Sequence, residues 1–432
     1  MRLRPAILLF LILTAVPVFS VDRARVTELS QQARDFAKKK DWASARDAMA
    51  KILEEIGTPT PIYMLRMASL ENRAGNNPAA LEWMSRYAAT GLTYDISADD
   101  DLKPLLAEKA YAAIAARMKD GSRPINKAEI VCTLPVSDLM PEDLTYDKAS
   151  RTFIVSSVRH HTLYRLSLPK NQEKECGMQE IPLEESAKRW PILAVSFDST
   201  RNLLWMTASA MPGFSGLPKE DSGKTSLIAL NPANGKIVRR FGLEGAGEAV
   251  LGDMSISPDG TLFVTDSIGG GVYRLQGSLE AAKLETIADG LFSPQTPILA
   301  NDGKRLLVAD YSIGVAVIDL ASGRVTYLSH PMEIAVGTLD GLTLSGDILI
   351  GIQNGTDPER IMRYRLNPDQ TAVVSQEVIE QGPRIGDPTH VIVVDGYAYV
   401  SANVGWGEIN DNGELKEGHK FTAPILIRFP LK

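Results

Sequence analysis

The chain has 432 residues, of which 44% are hydrophobic and 23% charged, and its formal net charge is −7. This length suggests two or three domains with an ample core, and the composition argues against long disorder and a multi-span membrane protein. The acidic balance argues against a nucleic-acid partner, and two cysteines are too few for a disulfide framework or a Cys-rich zinc site.

The first segment of the chain has the pattern of a secretory signal. Arg2 and Arg4 precede an apolar run over residues 6–19, and the small residue Ser20 follows before the sequence turns polar. A charged start, a short apolar stretch and a small residue at its end are typical of an export signal. We therefore expect residues 1–20 to be removed, leaving a periplasmic or secreted protein without a membrane span. An uncleaved amino-terminal anchor is the alternative.

Residues 21–121 are predicted to form a helical repeat domain. Two helical units end at Gly57 and Gly91, and their equivalent residues Asp41 and Asn77 lie about 36 residues apart. This period resembles that of tetratricopeptide repeats, which implies stacked helix pairs that bind a protein partner. A small helical bundle with no groove function is the alternative, and a true repeat that only packs against the next domain is another.

Residues 122–432 are predicted to form a six-bladed β-propeller, so the chain is mainly β. Six segments repeat the order of strand, Asp/Gly turn, strand, loop and strand, beginning about 42–62 residues apart, which is typical of propeller blades. The last segment stops at its third strand, so we expect residues 128–136 to supply the outer strand and close the ring, with a surface linker strand as the alternative. Six turn acids are expected to shape the hairpins only: Asp147, Asp198, Asp259, Asp302, Asp347 and Asp395.

The innermost strands of a propeller begin together at one mouth of the central channel. This position in the six segments is held by Glu142, Leu193, Asp253, Gln295, Asp340 and His390, with Pro191 or Ile192 as alternatives in the second segment. Carboxylate and amide oxygens are ligands of hard cations, and carboxylates packed closely repel unless a cation neutralises them or one is protonated. We therefore expect a divalent cation at the mouth, with Ca²⁺ favoured over Zn²⁺ or Mn²⁺.

Loops between the second and third strands should open at the same mouth. The loops of blades two and six are long, and we expect them to shape a pocket with Trp406; the corresponding loop of blade five carries Arg360.

Cys132 and Cys176 fall on the outer strands of the last and first blades, and export would permit a disulfide between them. The sequence leaves that bond open, because blades diverge at their rims.

From Asp138 to Lys432 the segments resemble the senescence marker protein/gluconolactonase/luciferin-regenerating enzyme family. Its members are six-bladed propellers, many of them lactonases with one divalent cation in the channel. The motif "PEDLTYD" places Glu142, and "LDGLTLSGD" places Asp340, at family ligand positions, while Gln295 stands where the family has Asn. The resemblance implies that these three residues hold the cation and that Asp340 is also the catalytic base of an exported lactone or ester hydrolase.

The third blade departs from the family pattern. Gly252 replaces an Asn before Asp253, and Val250 stands in place of an Arg that binds sugar lactones, which argues against a sugar lactone as the substrate. Asp253, His390 and Trp406 are the residues expected to contact the substrate. The alternative is a non-enzymatic propeller that binds a small molecule, or a protein through the helical repeats, because enzymes of this family need no helical extension.

Overall fold

A computed structural model describes residues 21–170, 173–243 and 247–431. The expected export signal, residues 1–20, lies outside the described residues. Within these ranges, no helix is both long enough and apolar enough to cross a membrane.

Five helices and two short 3-10 turns form the amino-terminal module. They are α1 (Arg23–Lys38), α2 (Trp42–Ile56), α3 (Pro61–Arg73), α4 (Asn77–Ala89), the turns Ile96–Ala98 and Lys103–Ala107, and α5 (Tyr111–Gly121). The side chains of Asp22 and Asp41 cap α1 and α2, and a proline lies in the first turn of each of α3 and α4, where a missing N–H breaks no helical hydrogen bond. Helix α1 packs on α2, and α3 packs on α4.

Six sheets form a propeller, as predicted. Two strands precede the blades: β1 (Ile125–Asn126) and β2 (Glu129–Thr133). The strands of the blades follow in chain order: β3 (Leu144–Asp147), β4 (Thr152–Ser157), β5 (Thr162–Ser167) and β6 (Gly177–Glu180); β7 (Ile192–Asp198), β8 (Leu203–Ser209), β9 (Thr225–Leu230) and β10 (Ile237–Phe241); β11 (Leu251–Ile256), β12 (Leu262–Asp266), β13 (Val272–Leu275) and β14 (Leu284–Ala288); β15 (Pro294–Leu299), β16 (Arg305–Asp310), β17 (Gly314–Asp319) and β18 (Val325–Tyr327); β19 (Leu339–Ser345), β20 (Ile348–Gln353), β21 (Arg360–Leu366) and β22 (Val373–Gln381); β23 (Val391–Val394), β24 (Tyr397–Ala402) and β25 (Ile425–Pro430).

The amino-terminal strand β2 closes the ring. It pairs with β25 as the outer strand of blade six, which confirms the predicted closure. Cys132 of β2 is bonded to Cys176 of blade one, so a disulfide joins the last blade to the first. Strand β1 pairs with β22 and gives blade five a fifth strand, which the sequence pattern did not indicate.

The hairpin-turn acids lie away from the mouth, as predicted. In blade five, Leu339 pairs with Gln353 at the mouth, while Ser345 pairs with Ile348 beside the turn at the other end. Four of the six acids accept backbone N–H groups of their own turns through a side-chain oxygen: Asp147, Asp198, Asp259 and Asp302. They therefore take no part in the channel mouth.

The helical module packs on the mouth end of blades three to five. Its hydrogen bonds to second-to-third strand loops of the propeller run from Arg23 Nη1 to the Gly269 carbonyl, from Thr60 Oγ1 to the Ser312 carbonyl and from the Thr93 N–H to the Asp357 carbonyl. Apolar side chains of α1 to α3 pack there with Ile313 and Phe292. One half of the mouth is thus bounded by helices and the other half by the long loops.

Candidate functional site

The positions picked out by the repeat meet around the channel axis. Leu193, Asp253, Gln295 and Asp340 lie near the starts of β7, β11, β15 and β19, while Glu142 and His390 just precede β3 and β23. These innermost strands pack against one another in order, and β23 packs on β3. Glu142, Gln295 and Asp340 are half-buried, whereas Asp253 and His390 are 6% and 7% exposed. The site therefore has an accessible upper layer and a buried lower layer.

A local irregularity in four blades turns these side chains into the mouth. The pairing of the first and second strands shifts within residues 192–195, 251–254, 294–297 and 339–342, and each range contains one of the site positions. An extra residue of this kind bends a strand and changes the direction of its side chains. A Cβ on Gly341 would lie 2.4 Å from the Thr389 carbonyl oxygen, so the glycine after Asp340 permits the close approach of blade six.

The upper layer is built on two carboxylates. Glu142 Oε2 accepts from Trp406 Nε1 at 2.5 Å, and Asp340 Oδ2 accepts from Asn354 Nδ2 at 2.7 Å. In the described part of the chain, no donor reaches the second oxygen of either group. Burial raises the pKa of both carboxyls well above the usual range; the charge of Asp340 further raises the pKa of Glu142, and that of Asp253 further raises the pKa of Asp340.

Tyr311 and Asn354 position Asp340, and sequence reasoning missed both. The Tyr311 hydroxyl donates to Asn354 Oδ1 at 3.0 Å, so the amide nitrogen faces Asp340. Burial and nearby carboxylates raise the pKa of Tyr311 far above its usual value, so its hydroxyl stays protonated as a donor. Asn354 directly follows Gln353, which pairs with Leu339, so the hairpin register was the signal that would have found it.

The lower layer contains Asp143, Asp253 and His390. His390 Nε2 lies 3.1 Å from Asp143 Oδ1, while the backbone N–H of Val195 donates to Asp143 Oδ2 at 2.8 Å. The Thr296 hydroxyl donates to Asp253 Oδ2. Burial raises the pKa of both aspartates and lowers that of His390. These groups lie behind the accessible layer, and Asp143, next to Glu142 in the sequence, is a member that the repeat pattern passed over.

Gln295 is the third residue of the accessible layer. Its Nε2 donates to Ser293 Oγ at 3.1 Å. Its Oε1 lies beside Gly252, where an added Cβ would be 3.8 Å away. The two residues that depart from the family pattern, Gln295 and Gly252, are thus neighbours. The longer side chain of Gln295 lies next to the position where Gly252 lacks the Asn side chain of the family.

The other half of the mouth is apolar. Leu193 packs in a cluster with Val250, Val404 and the loop residues Phe214 and Trp406. A cleft of about 650 Å³ lies beside this cluster, between the long loops of blades two and six. The predicted loops therefore do form a pocket wall, and Trp406 joins that wall to Glu142.

A second carboxyl pair lies at the mouth between blades five and six. The backbone N–H of Asp387 donates to Glu359 Oε2 at 2.7 Å, and Asp387 Oδ2 accepts from the Gly407 N–H at 2.6 Å. Burial, together with the charge of Asp387, raises the pKa of Glu359 to about 8. The repeat pattern gave no sign of this pair, because both residues lie in loops. Arg360, the next residue, is buried and donates to Gln353 and to the Thr90 carbonyl of the helical module.

The donor set of the upper layer suits a hard cation. Over the described ranges, no group of three or more His, Cys, Asp and Glu side chains is arranged to hold a metal ion. The candidate ligands are instead two carboxylates, Glu142 and Asp340, and the amide oxygen of Gln295. Such oxygen donors, completed by water, fit Ca²⁺, whereas zinc sites are usually built with imidazole or thiolate ligands.

Searches against protein-family models and curated proteins found no match. Among solved structures, the chain is similar to a luciferin-regenerating enzyme, with 13% identity over 71% of this chain and 95% of that chain and a TM-score of 0.46. It is also similar to virginiamycin B lyase from Staphylococcus aureus, with 14% identity over 69% of this chain and 86% of that chain and a TM-score of 0.44. The fold assignment rests on the sheets themselves: the chain is a six-bladed β-propeller that carries an amino-terminal helical module.

Proposed function

We propose that the chain is a divalent-cation-dependent hydrolase of lactones or esters that acts at the channel mouth. One observation carries this proposal: Glu142 and Asp340 are neighbouring half-buried carboxylates, and none of the ion pairs among the described residues includes either. In the ranges that the structure describes, the Trp406 indole and the Asn354 amide are the only side-chain donors to these two carboxylates. Like charges in such a setting require a cation or a proton.

The residues of the mouth would divide the chemistry between them. A cation held by Glu142, Gln295 and Asp340 would polarise the substrate carbonyl and lower the pKa of water in the site. Asn354 binds Asp340 through Oδ2 and leaves Oδ1 free to accept a proton from the attacking water. The proton would then pass from Asp340 to the leaving alkoxide oxygen as the acyl C–O bond breaks.

The apolar half of the mouth favours an ester or lactone with an apolar body. Leu193, Phe214 and Trp406 offer contact area and no charge to a substrate there. Val250 belongs to the same cluster, so this wall would exclude water more readily than it would bind a polyol.

We also propose that the protein is exported. The amino-terminal pattern supports export, and so does the placement of Cys132 and Cys176, because disulfides persist in oxidising compartments.

Calorimetric titration of the metal-stripped protein with Ca²⁺, Mn²⁺ and Zn²⁺ tests the cation. We expect Asp340→Asn and Glu142→Gln to abolish the binding heat. Asp347→Asn is the matched control, because Asp347 belongs to the same blade but lies in the hairpin turn at the opposite end. Equal heats for the wild type and Asp340→Asn would refute the cation site.

A panel of lactones and aryl esters tests turnover. We expect Asp340→Asn to lower kcat by about 10²–10⁴-fold, the contribution of a general base, while Asp347→Asn retains activity. Hydrolysis that survives Asp340→Asn would remove the assigned base. Binding without turnover is the second candidate function, and it is favoured by the cleft between the helical module and the propeller.

A further inference from the structure

A cleft of about 770 Å³ lies between the helical module and blades four and five. Its helical wall includes Ile62, Tyr63 and Tyr87, and its propeller wall includes Phe292 and Tyr311. Sites for small molecules are typically concave, mostly apolar and about 300–1,000 Å³ in volume, and they are common at domain interfaces. The size, lining and position of this cleft match that description.

The cleft continues into a groove along the helical module. The groove has a volume of about 430 Å³ and shares several lining residues with the cleft: Ser30, Arg34, Ile62, Leu65, Arg66 and Tyr94. Its remaining lining is largely apolar and includes Ala33, Ala37, Met49 and Leu70. The continuous space is therefore elongated, with α1 and α3 along one side.

One end of the cleft is formed by residues that support the candidate site. Tyr311 lines the cleft, and its hydroxyl donates to Asn354, which in turn donates to Asp340. A Cβ on Gly355 would lie 2.2 Å from Tyr311 Oη, so the glycine allows the ring to occupy this position. Thr338, also in the lining, has a φ of 56° and precedes Asp340 by two residues. A ligand in the cleft would thus lie against the residues that position the proposed base.

The shared section of the cleft carries two arginines without a carboxylate partner. Arg34 donates to Gln31, and the Arg66 guanidinium lies over the Tyr63 ring at 5.3 Å. Across the described residues, neither forms an ion pair. Four other arginines of the helical module do so: Arg25, Arg46, Arg73 and Arg86.

Two acids also line this space, Asp99 and Asp357, but neither forms an ion pair with Arg34 or Arg66 among the described residues. Asp99 accepts hydrogen bonds from the Tyr94 hydroxyl and from the backbone N–H groups of residues 101 and 102. Asp357 lies on the loop of blade five, at the propeller wall. The arginines are therefore available to an anionic ligand.

We propose that this cleft binds an elongated apolar ligand with a terminal carboxylate. The carboxylate lies at Arg34 and Arg66, and the apolar body extends along the aromatic wall to Tyr311. This inference rests on the proposed function in one respect: the ligand would be the non-reacting arm of an ester or lactone whose carbonyl reaches the channel mouth.

Octanoate and its neutral analogue octanamide test the cleft by calorimetric titration in the presence of EDTA. We expect Arg34→Gln/Arg66→Gln to raise the octanoate Kd about tenfold, or roughly 1.4 kcal/mol, and to leave the octanamide Kd unchanged. Arg25→Gln/Arg46→Gln is the control, because it removes the same charge from the same module but outside the cleft. Ser30→Trp, a change on the surface of α1 where the cleft and groove meet, should abolish the binding of both ligands.

The proposal is overturned if wild-type protein fails to bind octanoate, if Arg34→Gln/Arg66→Gln binds it as the wild type does, or if Ser30→Trp leaves binding unchanged. These titrations involve neither a cation nor turnover, so they are decided independently of Asp340→Asn. With an active enzyme, the double arginine variant should raise KM for the p-nitrophenyl monoester of suberic acid. Its KM for p-nitrophenyl octanoate, which lacks the terminal carboxylate, should not rise, and the control Arg25→Gln/Arg46→Gln should leave kcat and both KM values unchanged.

Discussion

Arg360 Nη1 donates to the backbone carbonyl of Thr90 at 3.1 Å, which joins blade five to the carboxyl end of α4. The arginine is 1% exposed, and its Nε and Nη2 donate to Gln353 Oε1 at 3.0 and 2.6 Å. Among the described residues it has no carboxylate partner, and burial lowers its pKa to about 10. The partial negative charge at the end of a helix favours a cation there. Arg360 thus fixes the helical module on the propeller.

Replacing this arginine should loosen the helical module. Arg360→Met would leave the Thr90 carbonyl and Gln353 Oε1 buried without donors, which predicts a loss of about 2–5 kcal/mol in unfolding free energy. Arg365→Met on the same strand is the control, because Arg365 is largely exposed and pairs with Asp347. Chemical denaturation gives the energies, and hydrogen exchange should show faster exchange in α3 and α4. Equal stability of the two variants would contradict this account.

Reduction of the Cys132–Cys176 disulfide should destabilise the closed ring. The bond joins residues 44 apart in the chain and links β2, the outer strand of blade six, to blade one. Constraining the unfolded chain in this way predicts a contribution of about 2–4 kcal/mol. Denaturation of the wild type with and without dithiothreitol, beside Cys132→Ser/Cys176→Ser, measures it. The prediction fails if dithiothreitol lowers the stability of the double variant as much as that of the wild type.

Repetition is the reason that the propeller could be predicted from sequence. Each blade repeats one order of strands and turns, so even the missing strand of blade six could be assigned to the segment before blade one. The same phase placed Glu142, Gln295 and Asp340 at one mouth. All three residues occupy the same position of the repeated unit and none lies in an irregular loop. They could therefore be grouped from the sequence without three-dimensional information.

Residues outside the repeat could not be found in this way. Asn354 could have been assigned from the hairpin register of blade five, but Tyr311 lies in a loop, where position follows from packing and not from phase. Arg360 shows the same limit: the repeat assigned it to the pocket, but docking of the helical module buried it against α4. The sequence of the helical module did not indicate which face of the propeller the module would cover. The contact between them is made by few residues, and these come from three separate blades.

Cation binding should strengthen as the pH rises. Burial raises the pKa of Glu142 and Asp340, so protons compete with a cation at higher pH than for ordinary carboxylates. Without a cation, the folded protein binds protons at these two carboxyls more tightly than the unfolded chain does. Both groups therefore add to the unfolding free energy at low pH, and this contribution is lost as the pH rises. Added Ca²⁺ should therefore raise Tm more at pH 8 than at pH 5, and Glu142→Gln should remove most of the difference. A Tm shift independent of pH would exclude these carboxyls as the ligands.

Glu359 should make stability fall with rising pH through the neutral range. Its pKa in the folded protein is about 8, raised from 4.5 first by burial and then by Asp387. Between these two values the folded state binds more protons than the unfolded state, so the unfolding free energy decreases from pH 4.5 upward and levels off above pH 8. Glu359→Gln should flatten this part of the curve, while Glu333→Gln, an exposed control, should not. Urea denaturation from pH 5 to 9 measures the slope, and parallel curves for the wild type and Glu359→Gln would show that this carboxyl titrates normally.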